Sequence, residues 1–170
     1  TLNKAHNLYI DEAGYCYIAG SNISGGEPFI IDVNTIPGSP SYLGATLPVY
    51  AHDVYARGDT LWTSDISDGT FSVYDVSNKT NPNILANQST PRDFCHNAWI
   101  SDDGQTLFTT DEKSNAWIGS FDVSDLGNIQ ELDRWRSPNE NTIPHNTHTH
   151  NDYQVISYYT DGIIILDASK

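Results

Sequence analysis

Four histidine-led segments recur along this 170-residue chain: AHNLYIDEAGYCYIAG from Ala5, AHDVYARGDTLWTSD from Ala51, CHNAWISDDGQTLFTTD from Cys95 and PHNTHTHNDYQVISYYTDG from Pro144. Their histidines, His6, His52, His96 and His145, stand 46, 44 and 49 residues apart. A second marker keeps the same step. An apolar run ending in aspartate closes each unit, at Asp32, Asp75, Asp122 and Asp167, with intervals of 43, 47 and 45. Two markers holding one period near 45 imply a repeated structural unit.

Each unit reads as strands. A short half-buried strand such as His52–Ala56 is followed by a turn (Ala13-Gly14, Gly58-Asp59, Asp103-Gly104, Asn151-Asp152). An aromatic and β-branched strand comes next, Leu61–Thr63 or Leu107–Thr109, then a second turn at Asp68-Gly69 or Asp161-Gly162. The third strand is the one ending in aspartate. A polar link leads to a weaker fourth strand, Ile84–Ala86 or Ile129–Leu132. Four short antiparallel strands in about 45 residues is the period of a propeller blade. No apolar pattern of helical spacing persists for a dozen positions. The expected fold is therefore an all-β, four-bladed β-propeller region with blades at about 5–50, 51–94, 95–143 and 144–170. The last blade lacks its outer strand, which points to part of a larger propeller; a closed four-blade ring is the alternative.

Charge narrows the partners. Eight Lys and Arg stand against 22 Asp and Glu, a net charge of −14, which disfavours nucleic acid and anionic membrane surfaces. No stretch approaches the ~18 apolar residues that span a bilayer. No signal peptide opens the chain, and there is no methionine, so a chain starting at Thr1 is expected to be processed or a piece of something longer. Cys16 and Cys95 could form one bridge or be two small buried residues. Sequons for N-glycosylation stand at Asn22, Asn78 and Asn87.

The Tyr-Asp-Val-Ser-Asn ending of the second unit, with Asn81-Pro82 soon after, resembles the LVIVD repeat. The order AHNLYI, AHDVY, CHNAWISDDGQTLFTTDE, then PHN and GIIILD is similar to the propeller of the choice-of-anchor B family. The histidine-led strands and Thr109–Glu112 are its more specific parts; His148 and His150 depart from it, and no anchoring segment is seen. The resemblance implies a secreted or cell-surface, bacterial-type propeller, with no established enzymatic activity.

First strands line a propeller's central channel, so the repeated histidines are expected to form a ring at one mouth. Asn7, Asp53, Asn97 and Asn146 follow them with oxygen-bearing side chains. Neutral imidazole with such oxygens suits zinc or another transition metal, with binding weakening below about pH 6.5. Equally, each imidazole could tie its ring nitrogens to the next blade's backbone. His148 and His150 form a His-x-His pair expected on one face of a strand, opposite His145. Asp65 and Asp111 end equivalent second strands, with Glu112 beside the latter. The candidate metal residues are therefore His6, His52, His96, His145, His148, His150, Asp53 and Asp111. No EF-hand loop exists, leaving only a diffuse calcium site among loop carboxylates. No nucleophile elbow or phosphate-cradling loop occurs. Tyr9, Tyr55, Trp62, Trp99 and their like fit packing between blades, whereas Trp135 is expected to cap a blade edge, with contact to a glycan or protein as the alternative. The function expected is a non-enzymatic binding or assembly module recognising a protein, glycan or cation. A metal-dependent enzyme on the histidine ring and a structural subunit pairing through open blade edges are the alternatives.

Overall fold

The computed structural model describes residues 1–169; Lys170, the last residue of the expected fourth blade, lies outside them. The chain folds into four antiparallel sheets in sequence order. The first holds β1 (Asn7–Ile10), β2 (Tyr15–Ala19), β3 (Phe29–Asp32) and β4 (Ser41–Ala45). The second holds β5 (Asp53–Arg57), β6 (Thr60–Asp65), β7 (Thr70–Asp75) and β8 (Asn83–Ser89). The third holds β9 (Cys95–Ile100), β10 (Thr106–Asp111), β11 (Ile118–Asp122) and β12 (Gln130–Trp135). The fourth has three strands among the described residues, β13 (Pro144–His150), β14 (Tyr153–Tyr158) and β15 (Gly162–Asp167). The only helical turn described, Tyr159–Asp161, is 3₁₀ and sits at the expected Asp161-Gly162 corner. Among the described residues no helix is long and apolar enough to cross a membrane.

The first strands β1, β5, β9 and β13 lie side by side, so the blades fan out from a common inner edge. Blades 2 and 3 each present one face to the blade before and one to the blade after. Strands β6 and β10 are consequently buried on both faces and read as continuous apolar and hydroxyl runs. The outer strands β8 and β12 are mostly exposed, which is why they are weakest in sequence.

The core lies between blades. Tyr17, Ala19 and Ile30 of blade 1 pack on Val54, Ala56, Leu61 and Tyr74 of blade 2. Tyr55, Trp62, Phe71 and Val73 of blade 2 pack on Ala98, Ile100, Leu107 and Phe121 of blade 3. Ile118 of blade 3 meets Ile156 and Tyr158 of blade 4. Cys16 and Cys95 are buried and free, the second of the two sequence alternatives.

The aspartates that end the third strands have a local cause. Asp32, Asp75, Asp122 and Asp167 each accept the backbone N–H two residues on, from Asn34, Ser77, Ser124 and Ser169, at 2.8 to 3.0 Å. The side chain thus turns the chain out of the sheet in every blade. Gly69 serves the corner before β7. Its φ is +70°, and an added Cβ would stand 2.5 Å from Asp93 Cα.

Asp65 ends β6 fully buried, accepting hydrogen bonds from Thr63 Oγ1 at 2.8 Å and Ser72 Oγ at 2.5 Å. Burial outweighs these bonds and pushes its pKa from 3.8 up to about 6. The folded protein therefore binds a proton here that the unfolded chain has released, and stability falls as pH rises through that window. Relative to Asp65→Asn, the wild type should lose up to about 3 kcal/mol between pH 4 and pH 7. Paired denaturant melts across that range check this; parallel curves would refute it. Phe71, fully buried against Phe121 at 5.3 Å between ring centres, gives a pH-independent probe of the blade 2–3 seam. Phe71→Ala should cost about 3–5 kcal/mol in the same assay.

Candidate functional site

Three rows of side chains run from blade to blade along the inner strands. The first is the histidine row. His6 and His52 rings lie 3.7 Å apart, His52 and His96 4.3 Å, His96 and His145 4.2 Å, all tilted by 43° to 46°. The expected ring of imidazoles is thus a stacked row. His6 Nδ1 lies 3.1 Å from the His52 carbonyl, and His52 Nδ1 lies 3.3 Å from the His96 carbonyl. The series then breaks. The His145 carbonyl accepts from the Thr110 hydroxyl instead, and the buried His96 Nδ1 has no hydrogen-bond partner.

The second row follows one residue later. Asn7 Nδ2 donates to Asp53 Oδ1, and Asn97 Nδ2 donates to Asp53 Oδ2 at 2.8 Å. The Val54 N–H also donates to Oδ1 at 2.7 Å, and Asn97 Oδ1 accepts from the Thr147 N–H at 2.9 Å. Asp53 is therefore a clasp across three blades, with both oxygens engaged. Burial raises its pKa.

The third row stands three residues after each histidine: Tyr9, Tyr55, Trp99 and His148. Ring centres are 5.0 Å apart for Tyr9–Tyr55, 4.1 Å for Tyr55–Trp99 and 4.2 Å for Trp99–His148. His148 occupies the fourth place in an aromatic row; the residue is exposed, and partial desolvation lowers its pKa. His150 lies farther along β13, opposite Tyr153, and is exposed. A register shift between Pro144 and Thr147 separates His145 from this pair.

Glu112, just past the end of β10, gives the histidine row a carboxylate. Its Oε2 is 3.4 Å from His96 Nε2 and its Oε1 is 3.9 Å from His145 Nε2. The Tyr159 hydroxyl donates to Oε1. Ligand atoms of His52, His96 and Glu112 lie within 4.8 Å of one another. His96 is 2% exposed. Burial first, then the flanking His52 and His145, push its pKa from 6.5 down to about 4, against the pull of Glu112. Burial and His6 lower His52 likewise. Both shifts favour the neutral ring, the form that ligates metal. A cavity of about 310 Å³ lined by His145, Ser157, Tyr158, Tyr159 and Gly162 opens beside the cluster.

Of the residues singled out from sequence, His52 and His96 come together with Glu112, and His145 flanks them. His6 is in the same row beyond His52. Asp111 lies elsewhere, fully buried, accepting from Thr90 Oγ1 at 2.5 Å and from the N–H groups of Arg92 and Phe94 at 2.8 and 3.1 Å. Sequence reasoning passed over Glu112 as a ligand. The available signal was a departure from the repeat: Ser21 and Ile66 hold the equivalent places after β2 and β6. Trp135 belongs to β12, edge-on to Tyr158 at 6.2 Å.

No family model matches this chain, and no curated protein matches it. Solved structures do. A protein from Lactobacillus plantarum is similar over 95% of this chain and 56% of its own, at 16% identity and TM-score 0.76. The β-propeller domain of Cps50 (Swd1) from Myceliophthora thermophila is similar over 94% and 51%, at 11% identity and TM-score 0.73. The C-terminal WD40 domain of Sif2 is similar over 94% and 44%, at 13% identity and TM-score 0.67. The chain spans about half the length of these structures, and the likeness is one of fold: this is a β-propeller architecture.

Proposed function

We propose that this chain is a binding module of an exported, choice-of-anchor B-type propeller, and that its channel mouth holds a divalent transition metal. The propeller fold suits a rigid binding scaffold. The export and family reading rests on the sequence resemblance alone. The metal reading rests on the gathering of His52, His96 and Glu112 within 4.8 Å.

Zinc bonds of 2.0–2.1 Å in a tetrahedral shell set neighbouring ligands about 3.3 Å apart. His96 Nε2 and Glu112 Oε2, at 3.4 Å, already stand at that separation. Where His52 Nδ1 carries its proton toward the His96 carbonyl, its Nε2 lone pair is left for an ion. The Tyr159 hydroxyl on Glu112 supplies the outer support that holds a carboxylate ligand in place.

Chelator-stripped protein titrated with zinc chloride in a calorimeter should take up a single ion per chain. Glu112→Gln and His52→Ala should each weaken uptake tenfold or more, about 1.4 kcal/mol. His150→Ala, remote from the cluster, should leave it intact. Unchanged affinity in both cluster variants would remove the metal reading. Zinc at a hundredfold excess over Kd should also stabilise the wild type by about 2.7 kcal/mol in denaturant melts, and at the same zinc concentration Glu112→Gln should keep about 1.4 kcal/mol of that gain at most.

A further inference from the structure

The sequons at Asn22, Asn78 and Asn87 are all exposed, so exposure does not separate them. Their amide nitrogens do. An N-glycan is joined through Nδ2, and a ready acceptor keeps that nitrogen free. Asn87 lies within β8 and folds its side chain back on the sheet. Its Nδ2 donates to Thr70 Oγ1 at 2.8 Å, to Ser72 Oγ at 2.9 Å and to the Phe71 carbonyl at 3.4 Å. Asn22 is engaged at both ends of its amide. Its Oδ1 accepts from the Asn3 and Lys4 N–H groups at 2.8 and 2.9 Å, and its Nδ2 donates to the Thr1 carbonyl at 3.1 Å. Asn78 differs. Its Oδ1 accepts from the Thr80 N–H at 3.1 Å and the Thr80 hydroxyl at 2.8 Å, and its Nδ2 meets no acceptor among the described residues.

The link after β7 holds this arrangement outward. Asp75 fixes its start through the Ser77 N–H. Lys79 turns inward, its Nζ donating to the Val76 carbonyl at 2.7 Å and to Asp59 at 3.2 Å. The backbone behind it packs on β4, where a Cβ added to Gly44 would stand 2.7 Å from the Lys79 carbonyl oxygen. In blade 3 the same place, three residues after the aspartate, belongs to Asp125. It makes the same turn, accepting the Gly127 N–H at 2.9 Å. The turn itself therefore needs only an acceptor oxygen. Blade 2 adds what the turn does not need: an amide nitrogen and, two residues on, a hydroxyl.

We propose that Asn78 is a glycan-acceptor site of the folded protein, and that Asn22 and Asn87 are not. In the transfer, Nδ2 bonds to the anomeric carbon of a sugar activated as a glycosyl pyrophosphate. The bond from that carbon to the pyrophosphate oxygen breaks, and the pyrophosphate leaves with the electron pair. One Nδ2 proton passes to a base of the transferase. As it departs, negative charge gathers on Oδ1, where the Thr80 hydroxyl and N–H already donate. At Asn87 the same step would break the bonds to Thr70 and Ser72. The link also lies away from the channel mouth. Asp75 pairs with Thr60, and Thr60 with Arg57, at the end of β5 far from His52. Asn22, in contrast, follows β2 on the side where Ala19 pairs with Asn7 beside His6. A glycan on Asn78 leaves the mouth clear, so this inference stands apart from the metal reading.

The folded chain, incubated with a soluble asparagine glycosyltransferase that transfers one hexose from a nucleoside-diphosphate sugar, tests it. Intact mass should rise by a single hexose. Peptide mapping should place it on Asn78, with transfer to Asn22 and Asn87 slower by about tenfold or more. Asn78→Gln and Thr80→Ala should each remove the product, Thr80→Ser should keep it, and Asn87→Gln should change nothing. Synthetic peptides carrying the three sequons should accept the hexose at similar rates, because the fold makes the choice. A folded chain that takes up no hexose overturns the proposal. So does transfer to Asn22 or Asn87 at the rate of Asn78, and so does a preference of the same size among the peptides. Circular dichroism of the variants confirms that each is folded.

Discussion

Burial of one sheet by the next is the contact on which everything else depends. A four-stranded sheet with apolar side chains on both faces has no interior of its own. Phe71 and Leu107 are dry only because blades 2 and 3 lie against each other, and Tyr17 only because blade 2 lies against blade 1. The constraint explains why the central strands carry aromatic and β-branched residues without alternation. It also explains why hydroxyls and carboxyls occur inside: Thr63, Ser72 and Asp65 satisfy one another within the seam.

The inner rows grow from that same stacking. Setting blade on blade brings equivalent positions of the first strands to ring-contact distance, so any residue repeated there meets its own kind. For His52 and His96 the result is suppression of charge, since burial and the neighbouring rings both disfavour the protonated form. The structural and ligand-binding readings of these histidines are therefore one geometry. His52 leans on the next blade's carbonyl through Nδ1, which leaves its Nε2 for the ligand proposed above, whereas His96 turns its Nε2 to Glu112.

Much of this was legible in the sequence. The repeat and its antiparallel sheets follow from local chemistry: Asp32 and its equivalents turn the chain through their own neighbours two residues away. The histidine row was legible as proximity, because a repeated residue on an inner strand must approach its copies. What escaped notice depends on neighbouring blades. Glu112 meets His96 within its own blade and His145 across the seam to blade 4, contacts that only its departure from the repeat could have signalled. His148 reads as half of a His-x-His pair until Trp99, about fifty positions earlier, is seen beside it. Asp53 and Asp111 resemble ligands in sequence because the groups that engage them, Asn97 and the Phe94 amide among them, come from elsewhere in the fold.

The Asp53 clasp ties three consecutive blades through a single carboxylate, with one neighbouring amide on each side. Its donors come from opposite directions along the chain. Losing or gaining a whole unit would leave each first strand with neighbours of the right kind, whereas a shift of even one residue would carry the carboxylate to the other face of its strand. Changes in the length of such a chain are thus quantised in steps of one blade, a grammar written by pairing geometry rather than by any active centre.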